Sequence, residues 1–405
     1  MEPGSGSQAE RAVPAPTDRA LGSPTDGTVD VVVVGAGLMG AATAWAATRA
    51  GSQVHVVEQF EPGHDRGSSH GSARIIRRAY ADPFYTRLSG RAFELWREVE
   101  RESETPLLRI LGGLDFGSTR DVTAVAAGLT EVGAAHELLE PTEAERRWPG
   151  MRFDGPVVYH AEAGTLDAER AVAAMIECAR RRGAEIRYGV AVRAVRPLGD
   201  GRAGARVDLV DGSRLVARQV VIAAGAWVPD LLDGLVPMPP LRVTQQQIFH
   251  FPRLDTSVAP WPSVIHQLDG HGIYHLAGGR DGGTRNDRKI GEHDFGRRTT
   301  ADTRDGVVDP SSRDRVVDYV QRWLPGLEPR PRSAGTCLYT STASEDFIVD
   351  RVGPFVVCSP CSGHGAKFAP LIGELCAGLV TGSGEVPERF RLRAHAQPTR
   401  SAVSL

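Results

Sequence analysis

The sequence predicts an α/β protein: a discontinuous Rossmann-type dinucleotide-binding domain into which a second layer of mixed or antiparallel sheet is inserted. Three observations carry this. An apolar run at 31–34 leads directly into Gly35-x-Gly37-x-x-Gly40 and a helical stretch over 41–50. A second apolar run, 54–57, ends at Glu58, 23 residues after the first glycine, a spacing that lets an acid reach a ribose hydroxyl. Elements of the same type recur in the middle of the chain and near its C-terminus, so the domain is assembled from separated pieces.

Each element has a local reason. Residues 31–34 are apolar on both faces, as a parallel strand covered by helices on both sides requires. The glycines permit a tight turn and close backbone approach, and the helix start behind them faces a pyrophosphate. From 83 to 102, Phe84, Leu88, Leu95 and Val99 fall on one side of a helix. A further helix over 167–182 precedes a strand at 185–188. Residues 207–223 read as a hairpin turning at Asp211-Gly212, with a buried strand at 220–223. Region 240–330 mixes alternating segments with a Gly- and Arg-rich stretch, 278–288, expected to be an exposed loop or hairpin.

Residues 29–110, 160–238 and 332–385 are assigned to the nucleotide domain, and 111–159 with 239–331 to the inserted layer. Residues 1–28 are rich in Gly, Pro, Ser and Thr and are expected to be a disordered tail. Residues 386–405 are expected to form a loosely held C-terminal tail.

A net charge of −3 calls for neither nucleic acid nor an anionic membrane surface. No apolar run approaches the roughly 20 residues of a membrane helix. Five cysteines, odd in number and sparse, fit a reducing compartment, so a cytoplasmic protein is expected. The chain has 47 basic residues, yet only Lys289 and Lys367 are lysines. Arginine serves for generic positive charge, whereas lysine offers a compact ammonium whose pKa moves on burial. Both lysines are therefore candidate functional residues.

Residues 67–80, GSSHGSARIIRRAY, taken with the glycine fingerprint, resemble the monomeric sarcosine oxidase family of amine-oxidising flavoproteins, which includes N-methyltryptophan oxidase. Further matches follow in order: Arg147-Trp148-Pro149-Gly150, Lys289-Ile290-Gly291-Glu292-His293, Cys337-Leu338-Tyr339-Thr340, Asp346 to Asp350, and Ser362 to Phe368. The resemblance covers roughly residues 30 to 385 and implies FAD, attached through the Cys337 sulfur to the flavin 8-methyl carbon. Gly335-Thr336 stand before this cysteine where relatives tend to carry an apolar residue.

The resemblance also implies residue roles. Lys289 occupies the oxygen-activating position, where an ammonium stabilises the superoxide formed as O2 is reduced. Arg77 and Lys367 match the pair that holds the substrate carboxylate. Arg74 lies beneath the flavin ring, and His70, His293 and Tyr339 line the site, with Tyr274 a weaker candidate. Ser68 and Ser69 contact the cofactor. Val192 meets adenine through its backbone, and Gly363, His364, Gly365 and Lys367 approach the flavin pyrimidine edge.

Four positions depart from the family pattern at or near the site: Ser72, Glu292, Cys361 and Ala366. About three extra residues also separate Tyr274 from Lys289. Smaller side chains at 361 and 366 favour a substrate bulkier than sarcosine. Cys358-Ser359-Pro360-Cys361 has C-x-x-C spacing, but no second cysteine pair completes a metal site, and none is expected.

The implied activity is oxidation of a secondary amine or cyclic imino acid, such as an N-methyl amino acid or a proline- or pipecolate-like compound. Hydride leaves a carbon next to nitrogen for flavin N5, giving an imine, and O2 reoxidises the flavin with release of hydrogen peroxide. A tailoring step in a biosynthetic pathway would suit such an enzyme, and a monomer is expected. The alternative is a dehydrogenase that passes electrons to another carrier. A flavin-binding module without catalysis would have no use for the two clamping cations and Lys289.

Overall fold

The structure is a computed structural model describing residues 27–199, 203–257, 259–283 and 287–396. The predicted tail over 1–28 therefore lies almost wholly outside the described residues.

Val29–Val34 is the central parallel strand, and its alternate valines pack into cores on opposite faces of the sheet. Val54–Val57 flanks it on one side and Arg214–Ile222 on the other, both parallel. Glu185–Arg187 extends the first edge. The N-terminal half of Arg214–Ile222 pairs with Ala205–Leu209, while its C-terminal half pairs in parallel with Phe355–Ser359. The hairpin predicted at Asp211-Gly212 is present with that turn. Strands from residues 29, 54, 185, 214 and 355 onward thus meet in one sheet, which makes the discontinuity explicit.

Three helices cover one face. Leu38–Arg49 packs against Ala168–Arg181 and Ala369–Thr381. It begins three residues before the expected start, so Gly40 lies inside its first turn. Pro83–Ser103 starts where Asp82 accepts from the Phe84 amide and Pro83 presets the first turn. Its Leu95, Trp96 and Val99 are fully buried, while Phe84 and Leu88 pack partly exposed against the same core.

The second sheet has nine strands, antiparallel except where Ser263–Leu268 runs parallel to Gly113–Phe116. Its far face is backed by helix Pro310–Trp323, whose Val316, Tyr319 and Val320 enter a separate core. Ser333–Ser341 pairs along Arg242–Phe251 in this sheet. Piece 332–385 therefore divides between the two sheets, with Cys337 on the strand that belongs to the second. A third, three-stranded sheet joins Arg74–Arg77, Leu108–Ile110 and Ala163–Leu166.

Two expectations are corrected. Segment 278–288 is not simply exposed: it opens with a turn at Gly279–Gly282, and Asp287 and Arg288 are buried. Arg288 is held inside by the Trp261 and His275 carbonyls and by His275 Nδ1, at 3.0, 3.1 and 2.8 Å. Nor are residues 386–396 a loose tail, because Val386 and Phe390 enter the core. Phe390 packs on Phe84 and Phe347, with ring centres 5.4 and 5.2 Å apart. Residues 397–405 lie outside the described residues.

Phe390→Ala is expected to cost about 3–5 kcal/mol of stability, measured by urea denaturation. A loss under about 1 kcal/mol, typical of a surface site, would mean the segment is not part of the core.

Candidate active site

The strand Val29–Val34 runs into Gly35, whose φ of 98° is open chiefly to glycine. A Cβ at Gly40 would lie 1.8 Å from the Gly35 carbonyl oxygen, so helix and turn meet this closely only without a side chain. Gly37 caps the helix without any side-chain bond, and the Leu38 amide donates to Ser69 Oγ at 2.9 Å. Glu58 accepts from the Ala36 amide at 2.8 Å through one oxygen and from Phe60 at 3.0 Å through the other. Its carboxylate is fixed beside the turn with lone pairs left over for a diol.

One cavity of about 1010 Å³ is lined by Gly35, Gly37, Glu58 and Val192 and also by Arg74, Lys289, His293, Cys337 and Lys367. A glycine-capped helix start, a turn a Cβ would fill and a fixed acid open on the same cavity as Arg74, Arg77, Lys289 and Lys367. This donor set fits a dinucleotide whose reactive ring reaches the second sheet.

Residues 67–74 form the wall between the two ends. Ser68 Oγ donates to the Leu338 carbonyl at 2.6 Å, so Ser68 and Ser69 brace the wall as well as line it. Arg74 donates to the Ser68 and His70 carbonyls at 2.9 and 2.6 Å and to Ala73 at 2.9 Å. Arg304 fastens the wall to the Cys337 strand: it holds the Asp65 and Arg66 carbonyls and donates to Thr336 Oγ1 at 2.9 Å. This bond accounts for a polar residue just before the cysteine.

Arg77 and Lys367 converge on one ring. The Arg77 guanidinium lies 4.4 Å from the Tyr80 ring centre, and Lys367 Nζ lies 5.6 Å from the same centre. Lys367 Nζ donates to the His364 carbonyl at 2.8 Å. Arg77 Nη1 reaches the Ala79 carbonyl and, at 3.3 Å, Asp115 Oδ1, while Nη2 has no partner. Burial, reinforced by Arg77, holds Lys367 well below the usual lysine range.

Lys289 Nζ donates to the Ala73 carbonyl at 3.1 Å. Burial first, and Arg74 second, bring its pKa from 10.5 down to about 7. His70 falls to about 4, through burial and then the charges of Arg74 and Lys289, so its imidazole is neutral. His364 is held neutral by burial and Lys367. Its Nε2 meets the Glu345 carbonyl at 3.0 Å and its Nδ1 the Tyr80 hydroxyl at 3.2 Å, so Nε2 donates and Nδ1 accepts.

Cys337, Tyr339, His293, Tyr274, Gly363 and Gly365 all line the cavity. Tyr274 and Tyr339 line the same cavity, which places the weaker candidate near the stronger one. His293 Nε2 lies 3.6 Å from Glu345 Oε1.

Cys361 and Ala366 also line the cavity, but Glu292 does not. Strand alternation turns Glu292 to the far face, where it binds Arg315 at 2.7 Å, His271 at 2.8 Å and Ser312. It is a structural ion pair rather than a substrate contact. Ser72, within the wall, likewise does not line the cavity and is bound to Asp281. Cys358 is buried beside Cys376, and among the described residues no His, Cys, Asp or Glu group is placed to hold a metal.

Sequence reasoning missed Asp115 and Arg120, which back the Arg77 guanidinium. Asp115 accepts from Arg120 at 2.5 Å and from Arg77, and both partners are buried. The available signal was an acid inside the apolar strand Gly113–Phe116.

The pattern common to FAD-dependent oxidoreductases of the DAO family matches residues 30–379. A monomeric sarcosine oxidase of Streptomyces avermitilis is 33% identical over 375 residues, covering 89% of this chain and 96% of its own. An N-methyl-L-tryptophan oxidase of Salmonella heidelberg is 28% identical, over 87% of this chain and 95% of its own. Among solved structures, the open form of NikD, an unusual amino acid oxidase essential for nikkomycin biosynthesis, superposes with a TM-score of 0.79 at 26% identity. That match covers 93% of this chain and 98% of NikD. The glycine turn, the fixed acid and the match along nearly the whole described chain agree: this protein belongs to the family of FAD-dependent oxidoreductases.

Proposed function

We propose that this protein is an FAD-dependent oxidase of a carboxylate-bearing secondary amine or cyclic imino acid, with O2 as electron acceptor and hydrogen peroxide and an imine as products. The observation that carries the reading is that Arg77 and Lys367, which converge on the buried Tyr80 ring, both line the cavity that Lys289 also lines. Two cations a ring apart, one with an unpartnered donor, suit a substrate carboxylate. Holding that end fixes the rest of the molecule, so its oxidisable C–H is presented in one orientation.

Arg74, Arg77, Lys289 and Lys367 repel an ammonium, so the amine reacts in its neutral form. With nitrogen's lone pair free, loss of hydride from the adjacent carbon needs no strong base. Bound FAD supplies the two-electron acceptor that the side chains lack. Lys289 places a compact positive charge in the same space, where it favours the superoxide-like charge that develops on O2. Cys337 stands half-buried on the cavity wall and is the residue we assign to a thioether with the flavin. Cys361 and Ala366 leave room for a ring, which favours a cyclic imino acid over sarcosine. The five cysteines are all free, in keeping with a cytoplasmic enzyme, and a monomer is proposed.

A peroxide-coupled screen of sarcosine, N-methyl amino acids, proline and pipecolate tests the reading. Stoichiometric peroxide with a cyclic imino acid is expected; flavin bleaching without peroxide would assign the electrons to another carrier. Flavin fluorescence is expected to stay with the denatured chain and to be lost from it in Cys337→Ser, whereas release from the unaltered protein would overturn the thioether. Lys289→Met is expected to slow the O2 step by about 100-fold and leave reduction by substrate within a few-fold. Because Lys289 loses its proton as pH rises through about 7, the O2 step should slow in that direction. A flat profile would contradict the role of its charge.

A further inference from the structure

The Ala73 carbonyl that receives Lys289 is itself held from behind. The Ser72 amide donates to Asp281 Oδ2 at 2.7 Å, and the Asp281 amide returns a bond to Ser72 Oγ at 2.9 Å. The two residues are 209 positions apart, yet they close a reciprocal pair like a helix capping box. One residue on, the Ala73 carbonyl accepts from Lys289 Nζ at 3.1 Å and from Arg74 at 2.9 Å. Whatever fixes Ser72 therefore fixes the acceptor on which both cations rest.

The turn that carries Asp281 is built for this contact. A Cβ at Gly279 would come within 2.7 Å of Ser72 Oγ and 2.8 Å of its carbonyl oxygen. Arg280 anchors the turn through Asp167 at 3.0 Å and Glu169 at 2.8 Å, at the start of helix Ala168–Arg181. On its other side the chain enters Arg288–His293, the strand that delivers Lys289, with Arg288 buried. The titratable groups facing Lys289 are Arg74, His70, His250, Cys337 and Asp281, and Asp281 is the carboxylate among them. Ser72 and the lengthened segment before Lys289 both depart from the sarcosine oxidase pattern, and in the structure these two departures touch.

We propose that Asp281 is a positioning residue for the oxygen step: through the two bonds it exchanges with Ser72 it holds the Ala73 carbonyl beneath Lys289. The proposal rests on the reading of Lys289 given above. Asp281 does not line the cavity, so its effect should fall on O2 reactivity and on the order of residues 67–74, not on carboxylate binding.

The test uses the full-length flavin-loaded protein, reduced anaerobically with dithionite and mixed with O2, together with hydrogen exchange over residues 67–74 in flavin-free and loaded forms. Asp281→Ala is expected to speed exchange at the Ser72 amide by about tenfold or more and to slow the O2 reaction similarly. Binding of pyrrole-2-carboxylate, a flat carboxylate probe, should stay within about twofold, inside ordinary surface-substitution effects. Asp281→Asn keeps an acceptor for the Ser72 amide, so exchange protection should return, while the pH at which the O2 step slows should move down. Ser72→Ala removes one of the two bonds and leaves the charge, and it supplies the exchange readout if Asp281→Ala does not fold.

Unchanged exchange in Asp281→Ala and Ser72→Ala overturns the positioning role. Equal weakening of O2 reactivity and pyrrole-2-carboxylate binding overturns it as well, by showing general disruption. An O2 step untouched in Lys289→Met, with exchange still accelerated in Asp281→Ala, overturns the reading of Lys289 and with it the proposed link to oxygen.

Discussion

Arg74, Arg77, Lys289 and Lys367 line one cavity, and their mutual repulsion, together with burial, is the constraint around which the site is arranged. Like charges 4 Å apart cost about 4 kcal/mol at an effective dielectric near 20. The fold offsets this mainly with backbone carbonyls. Ser68, His70 and Ala73 face Arg74, Ala73 also faces Lys289, Ala79 faces Arg77, and His364 faces Lys367. Carbonyl dipoles hold a cation in place without neutralising it, so positive potential remains in the cavity. The nearby histidines respond by staying neutral, as burial and the cations together require.

Where a carboxylate is used, it stands behind the cation. Asp115 backs Arg77 and is shared with Arg120, and Asp281 backs the carbonyl beneath Lys289. Neither acid lines the cavity. The anionic side of each pair is thus kept out of the cavity lining. The two sheets divide the work accordingly. The first sheet ends in the glycine turn and Glu58, and the second carries Lys289, His293 and Cys337 to the same cavity.

The nucleotide half was legible because its determinants are local. A turn that excludes Cβ atoms demands glycines at fixed offsets, and an acid at the end of the next strand must follow at near-fixed distance. The cations were found through the family motif, since nothing local in GSSHGSARIIRRAY says which arginine faces inward. Strand alternation decides that, and it also turned Glu292 away from the site. The contact between Asp281 and Ser72 was beyond reach for a related reason: it spans 209 residues, and Asp281 lies in a segment whose composition reads as exposed loop. Arg288 misled in the same way, because an arginine satisfied by carbonyls carries no partner acid to betray its burial. Phe390 was passed over among polar neighbours, though one aromatic residue suffices to anchor a terminal segment.

The claim that unneutralised positive charge defines the substrate end is tested most directly by comparing two ligands of one shape. Titration of the flavin-loaded protein with pyrrole-2-carboxylate and with pyrrole-2-carboxamide, followed through the flavin absorption spectrum, isolates the charge. The carboxylate is expected to bind about tenfold to a hundredfold more tightly, the range of one lost charge-assisted hydrogen bond. Equal affinity for acid and amide would contradict the account.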